Sequence, residues 1–273
     1  MNSINCHCCN TPYLPVSELV DEPVDDEILQ DVYACPACDH VYRDYKGDSI
    51  EYHTNWYRDV EGFKKDSDFS FMIEPQEIVD GQVTEIFHKN RLEICKSRVN
   101  YSSNFLSADV IDGWQKVLDI GSGAGTFART LKASFPSIEI ACIELDDRLV
   151  KECARLGFDS KQVGIFDLSD KEKYDTIFMW HVLEHIQDVQ ASIKKLKKIM
   201  HSRAIIEVPL LQAMNGQGRQ RFLTSPNTGT YDGHYHYFCR SSFIKLIEAC
   251  GMKIVDLREG VQSPALLAVI END

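Results

Sequence analysis

The pattern of apolar and polar positions changes character near residue 115. From Lys116 onward, short β-branched runs alternate with stretches whose apolar residues recur every three or four positions. Lys116–Ile120 reads as a strand, Thr126–Ala133 as a helix halted by Pro136, and Ile138–Glu144 as a second strand. Asp147–Leu156 reads as a helix closed by Gly157. A third strand is expected at Lys161–Ile165 and a fourth at Lys173–Trp180. The helix that comes next puts Val189, Ile193, Leu196 and Met200 on one face, which leaves Lys194, Lys195, Lys197 and Lys198 toward solvent. Arg203–Val208 is a fifth strand, ended by Pro209. This alternation predicts parallel strands joined by right-handed helical crossovers. The ending departs from it. A helix from Ser241, with Gly251 just past its end, precedes strands at Lys253–Leu257 and Ala265–Ile270, and their short link predicts a closing hairpin.

Residues 45–105 show another pattern, polar and aromatic-rich, with Tyr45, Tyr52, Trp56, Tyr57, Phe63, Phe69 and Phe71 among acids. Within 76–99, Ile78, Val83, Ile86, Leu92, Cys95 and Val99 recur at loosely helical spacing, so one or two helices are expected to pack on the next domain. Three segments result: 1–44, a connector at 45–105, and an α/β domain at 106–273. The stretch after the fifth strand, 210–238, is an insertion, rich in Gly, Asn and Thr up to 233, that would lie over the active site as a cover. Arg219 and Arg221 within it are solvated loop charges or a grip on an anionic substrate group.

Charge narrows the function classes. The net charge of −13 sits in the first 80 residues, which hold 18 acidic and 5 basic side chains, while the other 193 are neutral. An acidic front end repels phosphate backbones, which argues against a nucleic-acid partner. No apolar run reaches the roughly 20 residues of a membrane span. The opening MNSINCHCCN has neither a basic nor an apolar signal region, so a cytoplasmic location without membrane contact is expected. Ten cysteines in that setting are reduced thiols or metal ligands.

Their spacing sorts them. Cys6-x-x-Cys9 and Cys35-x-x-Cys38 form two knuckles separated by 25 residues, and two thiolates from each complete a tetrahedron around one zinc ion. Cys6, Cys9, Cys35 and Cys38 are the expected ligands, with Cys8 the first substitute, and His7 and His40 lie near the knuckles. A four-thiolate site leaves no open position, so this zinc would be structural. Cys95, Cys142, Cys153, Cys239 and Cys250 stand singly in apolar surroundings and read as small buried hydrophobes.

The candidate chemistry begins at Asp119-Ile120-Gly121-Ser122-Gly123-Ala124-Gly125, where a strand feeds a glycine-rich loop that lets the backbone approach a bound nucleotide. Its spacing is D-x-G-x-G-x-G, unlike the G-x-G-x-x-G of dinucleotide folds. Nineteen residues past Gly125, Glu144 ends the second strand, where a carboxylate can accept both ribose hydroxyls. With the run Tyr174–Ile186 (YDTIFMWHVLEHI) and His234-Tyr235-His236-Tyr237-Phe238 before a helix, the chain resembles class I S-adenosylmethionine-dependent methyltransferases over about 165 residues. The four-cysteine ribbon in front resembles a group of these enzymes that acts on sugars and other small metabolites.

The resemblance implies an α/β, Rossmann-like seven-stranded sheet ending in an antiparallel hairpin, with S-adenosylmethionine as cofactor. It places Gly121, Ser122, Gly123 and Gly125 around the methionine moiety and ribose, and Asp119 toward the cofactor's ammonium. Glu144, with Leu145 next to it, would hold the ribose. Phe166 and Asp167, within Ile165–Asp167, would flank adenine. His181 falls at the end of the fourth strand, where ligand crevices form in such sheets. An oxygen acceptor calls for a base, and the imidazoles of His236, His185 and His234 are the candidates, in that order. His181-x-x-Glu184-His185 also spells the inverted zinc-protease motif, but that motif needs a helix interior, and here it starts where a strand ends. The expectation is O-methylation of a sugar or related small polar acceptor. RNA or protein methylation, or a degenerate scaffold recruiting a partner through the ribbon, are the alternatives. Oligomeric state is left open.

Overall fold

The computed structural model describes residues 4–16, 31–44, 78–79, 82–105, 116–211, 234–260 and 265–273. The aromatics from Tyr45 to Phe71, and Arg219 and Arg221 of the cover, lie outside the described residues. The chain divides into two compact units. One comprises residues 1–49, 180–197 and 206–273, and the other residues 50–179 with 198–205.

The N-terminal strands are short: β1 (Leu14–Pro15), β2 (Val32–Ala34) and β3 (Val41–Arg43). A small hairpin, β4 (Ile78–Val79) with β5 (Gln82–Val83), precedes helix α1 (Glu85–Phe105). The helix starts later than the periodicity suggested, and its buried face keeps the expected Cys95 and Val99 but not Ile86. Phe87, His88, Cys95, Val99 and Ser102 are buried, whereas Ile86 is exposed.

The repeating part then runs as expected. Strand β6 (Lys116–Ile120), helix α2 (Thr126–Ser134), β7 (Glu139–Glu144), α3 (Asp147–Arg155), β8 (Asp159–Gln162) and β9 (Tyr174–Trp180) come first. After them come α4 (Val189–Ile199), β10 (Met200–Pro209), the two-residue β11 (His236–Tyr237), α5 (Arg240–Ala249), β12 (Met252–Glu259) and β13 (Ala265–Asn272). The third strand of the main sheet, β8, falls two residues before its expected place. Ile165–Asp167, whose first residue was expected to end it, forms a single 3-10 turn.

The seven-stranded sheet has the order β12-β13-β10-β9-β6-β7-β8. Strand β6 runs parallel to β7 and β9, β7 runs parallel to β8, and β12 closes antiparallel on β13. Interior strands read as unbroken apolar runs because both faces are covered: Ile177 to Trp180, Ala204 to Ile206 and Ala265 to Ile270 are all buried. The expected apolar face of α4 is buried at Val189, Ile193, Leu196 and Met200. Helix α3 is started by Asp146, whose carboxylate accepts the Arg148 backbone N–H at 2.8 Å.

Buried His88 joins three helices. Its Nδ1 lies 2.8 Å from Thr126 Oγ1 at the start of α2, and its Nε2 lies 2.9 Å from Glu152 Oε1 on α3. Arg155 donates to the same carboxylate at 2.6 and 2.7 Å. His88→Ala leaves buried polar atoms without their partner, so it should cost about 2–4 kcal/mol in urea denaturation. A loss under half a kilocalorie would show that the ring is incidental to the packing.

Candidate active site

The parallel register sets the height of every functional loop. Ile120 on β6 lies opposite Ile143 on β7 and Met179 on β9. Past Ile120 the backbone N–H groups of Gly121 and Ser122 both donate to Ile143 O, at 2.9 and 3.1 Å. Gly121, Gly123 and Gly125 all have positive φ, at 64°, 54° and 78°. A Cβ on Gly123 would meet nothing within 4 Å, so that side of the loop is open to a ligand. A Cβ on Gly125 would come within 2.9 Å of Cys153 Sγ. Gly125 also starts α2 without a side-chain cap, which leaves the first backbone N–H groups of that helix facing the loop.

Glu144, half-buried, holds this loop to the next one. Its Oε2 accepts from Gly123 N at 2.9 Å, and its Oε1 accepts from Leu145 N and Asp146 N at 2.7 and 3.2 Å. Cys153, read from sequence as a plain buried hydrophobe, donates its thiol to Gly123 O at 3.2 Å. Phe166 is 51% exposed, unusual for a phenyl ring in so apolar a unit. Asp167 uses one carboxylate oxygen to accept from Gly164 N at 2.9 Å.

Asp119 is the electrostatic anomaly of this unit. It is 2% exposed, and neither carboxylate oxygen has a hydrogen-bond partner among the described residues. Burial raises its pKa to about 8, with Arg98 opposing the shift and Glu144 adding to it.

The other unit gathers its titratable side chains around the end of β9. His181 has a left-handed backbone, φ 56°, and its N–H donates to Glu207 O at 2.9 Å. Its ring lies 3.4 Å from Glu184 Oε1 and 3.1 Å from Glu207 Oε1, both carboxylates being fully buried. Burial disfavours the imidazolium, but the two carboxylates outweigh it and raise the pKa to about 9. Leu183–His185 is a single 3-10 turn, so the H-x-x-E-H run does not present its two histidines on one helical face. His185 meets His234 instead, ring edge to ring face at 4.5 Å.

His236, first among the expected bases, is 1% exposed. Its Nε2 lies 3.0 Å from Gln187 O, and its ring packs among His7, His40, Tyr42 and Phe238. Burial, and after it the neighbouring His40 and His7, holds its pKa well below the usual imidazole value. The structure thus places it in packing, away from solvent, while His185 and His234 are half-buried.

The cysteine knuckles converge. The sulfurs of Cys6, Cys9, Cys35 and Cys38 all lie within 4.8 Å of one another, with Cys6–Cys38 at 3.6 Å and Cys9–Cys35 at 3.4 Å. Sulfurs at 2.3 Å around a tetrahedral zinc stand about 3.8 Å apart, so the quartet fits that ion. The knuckles share one backbone turn. Asn10 N donates to Cys6 O and Asp39 N to Cys35 O, and both residues are left-handed at φ 61° and 58°. Asn and Asp tolerate that conformation better than most residues. Cys8 groups with Cys6 and His40, a second set that shares one thiol with the first.

The ribbon's sheet does not end with its own strands. Strand β3 pairs antiparallel with β11, His236 opposite Tyr42 and Tyr237 opposite Val41, giving the order β1-β2-β3-β11. The second knuckle is also tied to α5. Cys38 O accepts from Ser241 Oγ at 3.0 Å and Cys239 Sγ at 3.1 Å, and Ala37 O accepts from Lys245 Nζ at 2.8 Å. Helix α5 starts at Arg240, one residue before the expected Ser241, and is entered from Cys239, whose N–H donates to Ser242 Oγ.

Two measurements test this geometry. An unfolded Asp ionises near 3.9, whereas Asp119 keeps its proton to about 8. The unfolded state therefore binds fewer protons across that window, and the ligand-free protein should lose stability as pH rises from about 4 to about 8. Asp119→Asn should flatten that part of the profile in chemical denaturation, and an unchanged slope would contradict the assignment. Gly125→Ala should cost about 1–2 kcal/mol from backbone strain alone, plus the clash with Cys153. The loss should be smaller in a Cys153→Ala background, and equal losses would rule the contact out.

Residues 84–257 match the family model described as methyltransferase domain. A search of curated proteins gives no match. Among solved structures, magnesium protoporphyrin IX methyltransferase from Synechocystis PCC 6803, with bound SAM, superposes with a TM-score of 0.54 at 15% identity, covering 84% of this chain and all of that one. DesVI from Streptomyces venezuelae gives 0.51 at 12% identity over 69% of this chain and 96% of its own. The mitomycin 7-O-methyltransferase MmcR gives 0.50 at 17% identity over 69% of this chain and 57% of its own. These neighbours share the fold, and the seven-stranded sheet with its antiparallel hairpin is the one the resemblance implied. With the family model spanning well over half of its length, this chain belongs to the methyltransferase-domain family.

Proposed function

We propose that the protein transfers a methyl group from S-adenosylmethionine to an oxygen of a small polar acceptor, a sugar or a related compound, and carries a structural zinc ion in its ribbon. The observation that carries the cofactor reading is Asp119, a buried carboxylate without a hydrogen-bond partner among the described residues, beside a glycine loop with open space at Gly123. A bound ammonium would supply the partner that Asp119 lacks. Glu144 offers acceptor oxygens for the ribose, and Phe166, half-exposed, offers a face for adenine.

Methyl transfer is an in-line displacement. The acceptor oxygen bonds to the methyl carbon as the carbon–sulfur bond breaks, the sulfonium becomes a thioether, and the hydroxyl proton must leave. Orientation supplies much of the rate, and the proton calls for local activation. The side chains suited to that task are those of Glu184, His185 and His234, which converge within one unit at the turn after β9. The acidic front end argues against RNA as acceptor. Two structures of the same fold are named for small acceptors, magnesium protoporphyrin IX and mitomycin, which favours a small molecule. Four converging cysteine sulfurs with near-tetrahedral spacing support the zinc, which would hold the ribbon and, through the β3–β11 pairing, the strand beside His234.

S-adenosylhomocysteine binding is the first test. At pH 7 free Asp119 is largely protonated, and the ligand's ammonium favours its carboxylate, so binding should release close to one proton. Calorimetry in buffers of different ionisation heat reads that release directly. Asp119→Asn should abolish it and weaken binding by about 10- to 100-fold. No binding to the folded protein would end the methyltransferase reading. Transfer of labelled methyl to a panel of sugars, RNA and protein then tests the acceptor, and label in RNA or protein alone would overturn the small-molecule assignment.

A further inference from the structure

The side chains at the turn after β9 are an odd set for a site that needs only a base. Glu184 is fully buried, and neither carboxylate oxygen accepts a hydrogen bond from a described residue. The rings of His181 and His185 stand 3.4 and 3.9 Å from Oε1, beyond ordinary hydrogen-bond length. His181 is shared with a second fully buried acid, Glu207, whose Oε1 lies 3.1 Å from the ring, so one imidazole serves two side chains. A buried carboxylate in that condition is destabilising unless a cation or donors reach it.

The side that His181 leaves open is filled by two imidazoles. His185 and His234 approach at 4.5 Å between ring centres, and one ligand atom from each lies with a Glu184 oxygen inside a mutual span of 4.8 Å. Backbone bonds fix the arrangement. Tyr235 N donates to Glu184 O at 2.9 Å, which sets His234 beside the turn, and His185 N donates to Val182 O at 3.0 Å. We infer that Glu184, His185 and His234 form a second metal site, separate from the cysteine quartet, that takes a first-row divalent cation such as zinc.

Two imidazoles and one carboxylate form a donor set that suits such ions and leaves coordination positions open. Donors bound at roughly 2.1 Å around a tetrahedral ion stand about 3.4 Å apart. The three atoms, all within 4.8 Å of one another, therefore close on an ion through side-chain shifts of about an ångström. His185 keeps 23% of its side chain exposed, which leaves a path for an oxygen ligand from solvent. The H-x-x-E-H run thus contributes two ligands, Glu184 and His185, while its first histidine turns to Glu207 and the second imidazole comes from 49 residues further along the chain. This deepens the proposed function, resting on it only for the role of the ion: an acceptor hydroxyl on the open position would lose its proton more readily.

Native mass spectrometry of the full-length protein, titrated with zinc alone, tests the site without any activity readout. Two zinc ions per chain at micromolar free zinc are expected, one of them held by the ribbon. Glu184→Gln and His234→Asn should each bind one, whereas Cys38→Ser should lose the ribbon ion. One zinc in the unaltered protein, or two in both variants, would overturn the site. S-adenosylhomocysteine bound in the same spectra shows that each variant is folded. Glu184→Gln is near-isosteric and His234 is half-buried, so one variant remains readable if the other misfolds. Failure to bind S-adenosylhomocysteine in the unaltered protein strikes the methyltransferase reading, while the zinc count still decides the second site.

Discussion

Hydrogen bonding between parallel strands fixes where this protein can do chemistry. Ile120, Ile143 and Met179 stand side by side, so β6 and its two neighbours reach their carboxyl ends at one level. The candidate chemistry gathers at those ends: a glycine loop after β6, Glu144 as the last residue of β7, and the turn that His181 opens after β9. The ladder's loss is partly made good at once, because Gly121 and Ser122 continue to donate to Ile143 O and Glu144 accepts from Gly123. Loop and strand therefore form one rigid piece. A one-residue slip of β7 would carry Glu144 away from Gly123 and turn the apolar residues of that strand to the wrong face.

The second dependence runs through the ribbon. The ribbon's described strands have only two or three residues each and bury little apolar area, so the proposed zinc at the converging sulfurs would supply stabilisation that packing does not. The ribbon in turn completes something else. Its last strand pairs with β11, Arg43 N donates to Tyr235 O, and Tyr235 N donates to Glu184 O. A continuous chain of backbone bonds thus leads from a cysteine knuckle to the turn that carries Glu184 and His185. Because β11 has only two residues, its position is set by these partners and not by a hairpin of its own.

The same physics decides how far the sequence could be read. Strands buried on both faces, such as β9 and β13, announce themselves as apolar runs, and helices such as α4 carry a full 3.6-residue period. Strand β8 (DSKQ) is a polar edge strand with no such signal, which accounts for its misplacement by two residues. The cysteine spacing and the D-x-G-x-G-x-G loop were legible because each concentrates its chemistry within a few residues. The pairing of β3 with β11 was not, since two-residue strands have no pattern. For the same reason His236, in an alternating His-Tyr-His-Tyr run, gave no sign that it lies in packing while His234 does not. The meeting of His185 with His234 spans 49 residues of chain, a distance that no local pattern bridges.

The buried acids tie these points together. Asp119 in one unit, and Glu184 and Glu207 in the other, are all nearly or fully inaccessible, and each lies at or just beyond the carboxyl end of its own strand. Apolar residues of similar volume there would give a more stable fold, because desolvating a carboxylate costs more than ordinary packing returns. Elsewhere the molecule handles its charges differently: Glu152 has His88 and Arg155, and Asp146 has Arg148 at 2.7 Å. The acids lacking hydrogen bonds among the described residues, Asp119 and Glu184, are therefore not a general habit of the sequence. They occur at the sheet end where ligands bind in this fold class. Such a cost is what a fold carries when a cation arriving from outside completes it, under the readings proposed above the ammonium of a cofactor at Asp119 and a metal ion at Glu184.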